Sequence, residues 1–552
     1  MRTRVGCIAL FLLGCISIQA QQIDIETLMK TSKVKVYGGI NANGMYNNAG
    51  TGNQDPFTYT LSGNLGASYK MFSMPISYTI TNLGDQFGYQ MPYDFNRFSL
   101  APKYKWIQAY LGDASMSFSN YTLNGHPFRG IGAELTPKGP VKVSFMGGRL
   151  LKPTEADSLG YQVATYKRIG VGGKIDFEQD QYKLEYISFY AKDKENSIVN
   201  SGGAIAKENS VNSFKVHTTV IPNVELEVEY ALSILYDLIP QQIEDNTSTL
   251  KTRSTHKAVK TSANYNLSKY RIGLVYENVD PEYQTLGAMY FNNDLENVGV
   301  TFSGPFVKDR LMISTQLGYQ RDNLDKKKAQ DSKRLVGTLN ASFIVNEQLN
   351  ISGSYSNFST HTNRRLDQFD YINDPNLNPA DTLNYKQLSQ NANANINYIL
   401  GKEKQHNINF NYSIAGQANK QGGVIRKGQS STVQNFNLVH TLTMKSIAAG
   451  LSTSLNYTDN KISAMNSNSY GAGVNFMKKF LDNKLNATLG GLYNQMQTKT
   501  GNNSVYGVKF NASYVFLEQH NFSLNGVQMF RQLYTGMNTN DLTLTFNYSY
   551  SF

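Results

Sequence analysis

Catalysis at a protein surface needs a nucleophile with a base, a carboxylate with a histidine, or several metal ligands held close together. This chain of 552 residues offers little of that in local sequence. Its seven histidines are His126, His217, His256, His361, His406, His440 and His520, and none stands at metal-ligand spacing from another. The two cysteines, Cys7 and Cys15, both fall in the first twenty residues. There is no Gly-x-Ser-x-Gly turn and no phosphate-binding glycine loop. The expectation is no catalytic residue, no metal and no cofactor, unless a Ser/His/acid set converges from segments far apart in the chain.

Two histidines are informative through their register. His440 shares its parity with Phe436, Leu438, Leu442 and Met444, so in a strand it falls on the apolar face. His217 alternates with Lys215 on the polar face, opposite Val216 and Val220. The basic groups Asp325-Lys-Lys-Lys328 with Lys333-Arg334, and Arg364-Arg365, sit in or beside long connections. There they either solubilise a loop or attract anionic partners over a long range. No basic-aromatic module is visible, so nucleic acid is not an expected partner.

The elements that must carry these groups are strands. After Ser32 the dominant pattern is alternation, the period of a half-exposed strand. Leu542, Leu544, Phe546, Tyr548, Tyr550 and Phe552 oppose Thr543, Thr545, Asn547, Ser549 and Ser551. Ala392, Ala394, Ile396 and Tyr398 oppose Asn391, Asn393, Asn395 and Asn397. Ile408, Phe410, Tyr412 and Ile414 oppose Asn407, Asn409, Asn411 and Ser413. Tyr506, Val508, Phe510, Ala512, Tyr514 and Phe516 oppose Lys509, Asn511 and Ser513. The polar face carries short neutral side chains, which suits a water-filled lumen better than the charged outer face of a soluble sandwich. Strands of about 9–11 residues, apolar outward and polar inward, mark a transmembrane β-barrel. On this reading Asn393, Asn395, Asn409, Asn411, Lys509 and His217 face the lumen.

Connection lengths separate the barrel from a soluble sandwich array. From Tyr161 onward short links (Glu178–Gln181, Pro222-Asn223, Val307-Lys308, Asn346-Glu347, Gly401–Glu403, Lys445-Ser446, Leu517–Gln519) alternate with long ones. The long ones are Lys192–Asn209, Asp237–Thr255, Val279–Asn293, Arg321–Lys333, Thr360–Tyr385, Gly416–Ser431 and Gln532–Thr539. Outer-membrane barrels have short periplasmic turns and long extracellular loops, and a sandwich has no reason to sort loops by parity. All 14 prolines lie at or before Pro379, leaving 552 − 379 = 173 residues without one, as many fully paired consecutive strands require. The count of strands from Val34 is about 26, with a range of 22–26, in an antiparallel transmembrane β-barrel over 34–552. The Asn82–Phe128 stretch, rich in Tyr, Phe, Gly and Pro and holding Trp106, reads either as an insertion over or into the lumen or as outer loops with two short strands.

Composition agrees. Hydrophobic residues are 40 %, aromatics 12 %, and the mean hydropathy is −0.40, because half of each strand faces water. Beyond residue 20 no apolar run approaches the ~20 residues of a membrane-spanning helix. Met1–Ala20 reads as a secretory signal peptide, with Arg2 and Arg4 ahead of an apolar Val5–Ile18. A lipoprotein signal ending at Cys15 is the rival reading. Without the leader the chain has no cysteine and a formal net charge of 50 − 41 = +9. Residues 21–33 form a short periplasmic segment, too short for a globular plug, although Asp24–Met29 loosely resembles a TonB-contact peptide.

Two resemblances add to this. The ending Leu542–Phe552 resembles the C-terminal strand of outer-membrane barrel proteins, which implies recognition of Phe546, Tyr548, Tyr550 and Phe552 by the barrel-insertion machinery. Phe98–Trp106, Tyr121–His126 and Gly130–Leu135 resemble a family of large, poorly characterised outer-membrane barrels of Bacteroidota, which implies location and fold but no activity. A barrel of about 26 strands is wider than the 16–18-stranded porins that already hold an aqueous channel, so its lumen must be occluded. The expectation is a porin-like channel or transporter occluded by its own loops, or else a non-transporting subunit or scaffold of an assembly or secretion complex, or a membrane-embedded hydrolase. Expected partners are outer-membrane lipid and lipopolysaccharide, the insertion machinery, and a protein partner or plug.

Overall fold

Alternating apolar and polar residues pair efficiently only when every strand edge finds a neighbour, and here the sheet closes on itself. The computed structural model describes residues 33–49, 56–86, 90–156, 162, 164–243, 246–289, 291–327, 333–357, 359–361, 385–421, 424–462 and 465–552. The leader at 1–20, nearly all of the 21–33 segment, Lys328 and Arg364-Arg365 lie outside the described residues. Twenty-eight strand segments form one antiparallel sheet. Arg97–Leu100 and Lys103–Tyr104 occupy one place between the same two neighbours, and Leu349–Asn357 and Ser359–His361 likewise share one neighbour. The wall therefore has 28 − 2 = 26 strands, matching the count from sequence. The last strand, Asn538–Ser551, closes the barrel on the first, Lys35–Ala49, from Gly39↔Ser551 to Ala49↔Asp541. Gly38 and Phe552 exchange backbone hydrogen bonds at 3.0 Å each way.

Short turns gather at one end. Left-handed backbone at Asn223, Asp309 and Asn483 lets the chain reverse in a few residues, a conformation Asn and Asp adopt at low cost. The opposite end corrects two expectations. Asp237–Thr255 and Gly416–Ser431 are not loops. The strands Val224–Ile243 and Asn246–Leu267 stay paired up to Ile243↔Asn246, and Lys404–Gln421 and Val424–Met444 up to Gln421↔Val424. Twenty residues at roughly 3.3 Å each exceed the ~25 Å apolar band, so these hairpins continue past it as ladders of Thr, Ser and Gln.

Because directly opposed residues share a face, the register carries inside and outside around the whole wall. Ile187, Phe189, Val211, Ala231, Ala258 and Val279 are buried on the inner face. Tyr186, Phe214, Tyr230 and Leu274 are exposed on the outer one. The buried clusters lie on the inner face of one sector, toward the long-loop end. The Asn82–Phe128 stretch divides. Most of it is wall (Arg97–Tyr104, Ile107–Ser117 and the start of Asn124–Leu135), residues 90–96 cross the rim, and 118–123 turn inward.

Candidate functional site

Two connections fold into the lumen and lock together. Residues 118–123 follow the strand Ile107–Ser117, and residues 280–289 and 291–294, together the 280–294 connection, follow Tyr270–Val279. Tyr121, Leu123, Tyr283 and Leu286 are all at most 2 % exposed. Burying each such side chain is worth about 1.5–3 kcal/mol against leaving it in water. Tyr121 and Tyr283 pack edge to face with centroids 6.3 Å apart, and Phe291 closes on Tyr283 at 5.0 Å. These rings rest on Val211, Ala231, Ala258 and Val279, while Leu123 and Leu286 rest on Ile187, Phe189 and Ala191.

Directional bonds fix the register of one loop on the other. Tyr283 Oη donates to the Tyr121 carbonyl at 2.8 Å, and Thr285 Oγ1 donates to the Thr122 carbonyl at 2.7 Å. The Asn124 N–H donates to the Gly287 carbonyl at 2.9 Å. Gly287 is required by close approach, since a Cβ there would sit 2.7 Å from the Thr122 carbonyl oxygen and 2.8 Å from Phe189 Cε1. Asn209, fully buried on the wall, anchors the pair. Its amide donates to Ser233 Oγ at 2.8 Å and its carbonyl oxygen accepts the Leu286 N–H at 3.0 Å. Tyr121 Oη donates to Glu277 Oε1 at 2.6 Å. Burial, then the Glu277 carboxylate, pushes the Tyr121 phenol well above the usual tyrosine range. Burial, then Glu229, does the same to Tyr283.

Beneath these loops the inner wall is a checkerboard of charge. Lys174 pairs with Asp176 at 3.0 Å, Lys183 with Glu185 at 2.5 Å and Lys215 with Glu227 at 3.1 Å, while Arg168 pairs with Asp193 at 2.8 Å on the rim side of the loops. Ser213 Oγ donates to Glu229 at 2.9 Å. The carboxylates of Asp176, Glu185 and Glu229 are buried, so each needs its partner. His217 lies on this inner register, directly across the ladder from Glu227 and Lys183.

The remaining sector has mostly neutral side chains in the same positions. Following the ladder from Ala258 through Asn297, Gln316 and Ser354 brings Asn393, Asn395, Asn409, Asn411 and Lys509 onto the inner face. Asn395 and Asn409 exchange amide hydrogen bonds at 3.2 Å each way. Asn411 stands opposite Asn395, Asn393 opposite Ser413, and Asn511 donates to Asn525. The Asn395–Asn409 and Asn511–Asn525 pairs join strands as well as line water. Lys509 lies over Gly490, whose missing side chain leaves it room.

The aromatic end Phe546, Tyr548, Tyr550 and Phe552 lies on the outer register at the closing seam, where His520 stacks on Tyr550 at 4.5 Å. His440 is on the outer face opposite Ile408, and its Nε2 meets His406 Nδ1 at 3.0 Å. Among the described residues no three His, Cys, Asp or Glu side chains gather as a metal site.

Of the two inward loops, residues 118–123 fall within the Asn82–Phe128 stretch that the sequence offers as a possible lumenal insertion, whereas the connection after Val279 reads from link length only as a long outer loop, although a signal exists. At Ile187, Phe189, Ala191, Val211 and Ala231 the inward positions turn apolar, so those strands are apolar on both faces. The connection 280–294 carries Tyr283, Leu286, Met289 and Phe291, an unusual load for a solvated loop.

No family model and no curated protein matches the chain. Among solved structures it is similar to the P pilus usher (PapC) translocation pore, at 9% identity, with 94% of this chain and 99% of that one covered and a TM-score of 0.39. It is also similar to the ferric enterobactin receptor of Pseudomonas aeruginosa (10% identity, 95% and 81% covered, TM-score 0.40). A third is the FrpB iron transporter of Neisseria meningitidis (11% identity, 96% and 83% covered, TM-score 0.38).

Proposed function

We propose that the protein is an outer-membrane channel or transporter of porin type, narrowed by its own loops. The observation that carries this reading is the interlock of residues 118–123 with 280–294 against the inner wall. A barrel of 26 strands without lumenal contents would breach the membrane it sits in. The charge checkerboard beside a neutral amide wall gives a permeating solute two chemically different surfaces, one buried under the loops and one free of them.

In the same reading Met1–Ala20 directs export, and the aromatic C-terminal strand is what the insertion machinery recognises. The basic connections around Lys326 and Lys333 meet lipopolysaccharide at the cell surface. The kinship with the Bacteroidota barrels belongs to this proposal too. Purified protein in planar bilayers should give discrete conductance steps. Complete absence of conductance, with stable co-purifying partners, would replace the channel by a scaffold.

A further inference from the structure

The barrel wall is incomplete at one point on its long-loop rim. The strand beginning at Arg97 pairs with Ile107–Ser117 only at Ser99↔Gly112, Leu100↔Leu111, Lys103↔Gln108 and Tyr104↔Ile107. Gly112 takes a left-handed φ of +92° there, and a Cβ would lie 2.3 Å from the Phe98 carbonyl oxygen. One residue on, the ladder is replaced by a side chain, with Asp113 Oδ2 accepting the Phe98 N–H at 2.8 Å. Before Arg97 the chain leaves the wall as a strap that reaches the end of Val141–Leu151, where the Lys152 N–H donates to the Pro92 carbonyl at 2.8 Å.

Between strap and wall edge lies a cavity of about 420 Å³. Tyr110, Phe128 and Leu150 line it from the inner register, Asp113, Arg129 and Arg149 from the outer. Its charge is unbalanced. Asp94 on the strap meets Arg129 at 3.1 Å, Arg149 at 2.5 Å and Lys152 at 3.3 Å, while Arg129 grips Asp113 through Nε at 2.8 Å and Nη2 at 2.9 Å. With Arg97 the cavity holds four cations against two carboxylates, 4 − 2 = +2. Below them, on the outer face of the same strands, stand the exposed apolar side chains of Leu111, Ile131 and Phe145.

We propose that this rim cleft binds a membrane lipid whose phosphate head carries net negative charge. Arg149 Nη2 and Arg129 Nη1, the two guanidinium nitrogens that Asp94 holds, offer donors to the phosphate oxygens, and the hydrocarbon runs down over Leu111, Ile131 and Phe145. Asp94 occupies the head's place when no lipid is bound. The inference rests on reading the outer register as lipid-facing. The heat-modifiable gel migration of a folded barrel checks that reading separately.

The test is native mass spectrometry of the full-length protein in detergent, with dioleoyl phosphatidic acid and dioleoyl phosphatidylcholine as probes. Wild type should retain phosphatidic acid in preference. Arg129→Gln with Arg149→Gln should lower retention about tenfold or more. Asp94→Asn, which removes the competing carboxylate, should raise it, an effect that mere loss of structure would not produce. Equal retention of the two lipids, or equal retention by wild type and the double variant, would overturn the proposal. Displacement of phosphatidic acid by an excess of inorganic phosphate would overturn the lipid in favour of a free anion.

Discussion

The phenolic hydroxyl of Tyr283 donates to the backbone carbonyl of Tyr121 at 2.8 Å, tying together two loops 162 positions apart. Both partners are buried, so neither group has water as an alternative. Tyr283→Phe removes only this bond and should cost about 1–3 kcal/mol locally, through the carbonyl left unpaired. Tyr283→Ala also removes the ring contacts with Tyr121 and Phe291 and should cost about 3–5 kcal/mol. Limited digestion of membrane-embedded protein with a glutamate-specific endopeptidase checks the order, since residue 282 is a glutamate. Cleavage near residue 282 should rise slightly in the first variant and strongly in the second, with the barrel fragment intact in both.

Gly287 gives a steric version of the same test. Gly287→Val places atoms inside contact distance of the Thr122 carbonyl, which Thr285 holds in the facing loop, and of Phe189 on the wall. The loop should leave its seat while the 26 strands remain paired. Enlarged conductance with unchanged heat-modifiable migration is expected. Unchanged conductance would mean that the loop does not block the path.

The two tyrosines also predict a pH response. Their pKa values are raised in the folded state, so the protonated phenols stabilise the docked loops below the ordinary tyrosine value of about 10, and that stabilisation is lost as pH rises above it. Conductance should be flat through neutral pH and climb above about pH 10. Tyr121→Phe combined with Tyr283→Phe should abolish the climb. The strap behaves with the opposite sign. Burial alone would raise Asp94, but Arg129, Lys152 and Arg149 hold it below the usual carboxylate range. Its contribution is present above the ordinary aspartate value near 3.8 and is lost as pH falls below it. Protease sensitivity at residues 90–96 should appear in acid and not in base.

Adjacent residues of one strand test inside against outside. Asn409→Leu together with Asn411→Leu should leave insertion unchanged and alter conductance. Phe410→Lys, one step away on the outer register, should cost about 2–4 kcal/mol if it lies near the bilayer midplane, and should reduce the heat-modifiable fraction. Reversal of the two outcomes would mean that the register is shifted by one residue.

Much of the barrel is legible in sequence because strand period is a local property. Leu542 to Phe552 and Asn391 to Tyr398 declare two faces within a few residues, and link lengths declare which ends are turns. Two kinds of feature escape. The hairpins ending at Ile243↔Asn246 and Gln421↔Val424 look like loops because Thr, Ser and Gln serve equally in solvated ladders and in coil. The interlock of Tyr121 with Tyr283, and the meeting of Asp94 with Arg129 and Arg149, depend on closure of the whole sheet. No local pattern encodes such a partner, and the traces are apolar residues where a water-lined wall should be polar and the load of Tyr283, Leu286 and Phe291 in one connection.

The most direct measurement of the central claim is single-channel conductance of the wild type beside a variant in which residues 281–292 are replaced by a short glycine-serine link. Docked loops that narrow the lumen predict small or infrequent steps for the wild type and large, stable steps for the variant, with both proteins equally heat-modifiable. Equal conductance in the two would contradict the account.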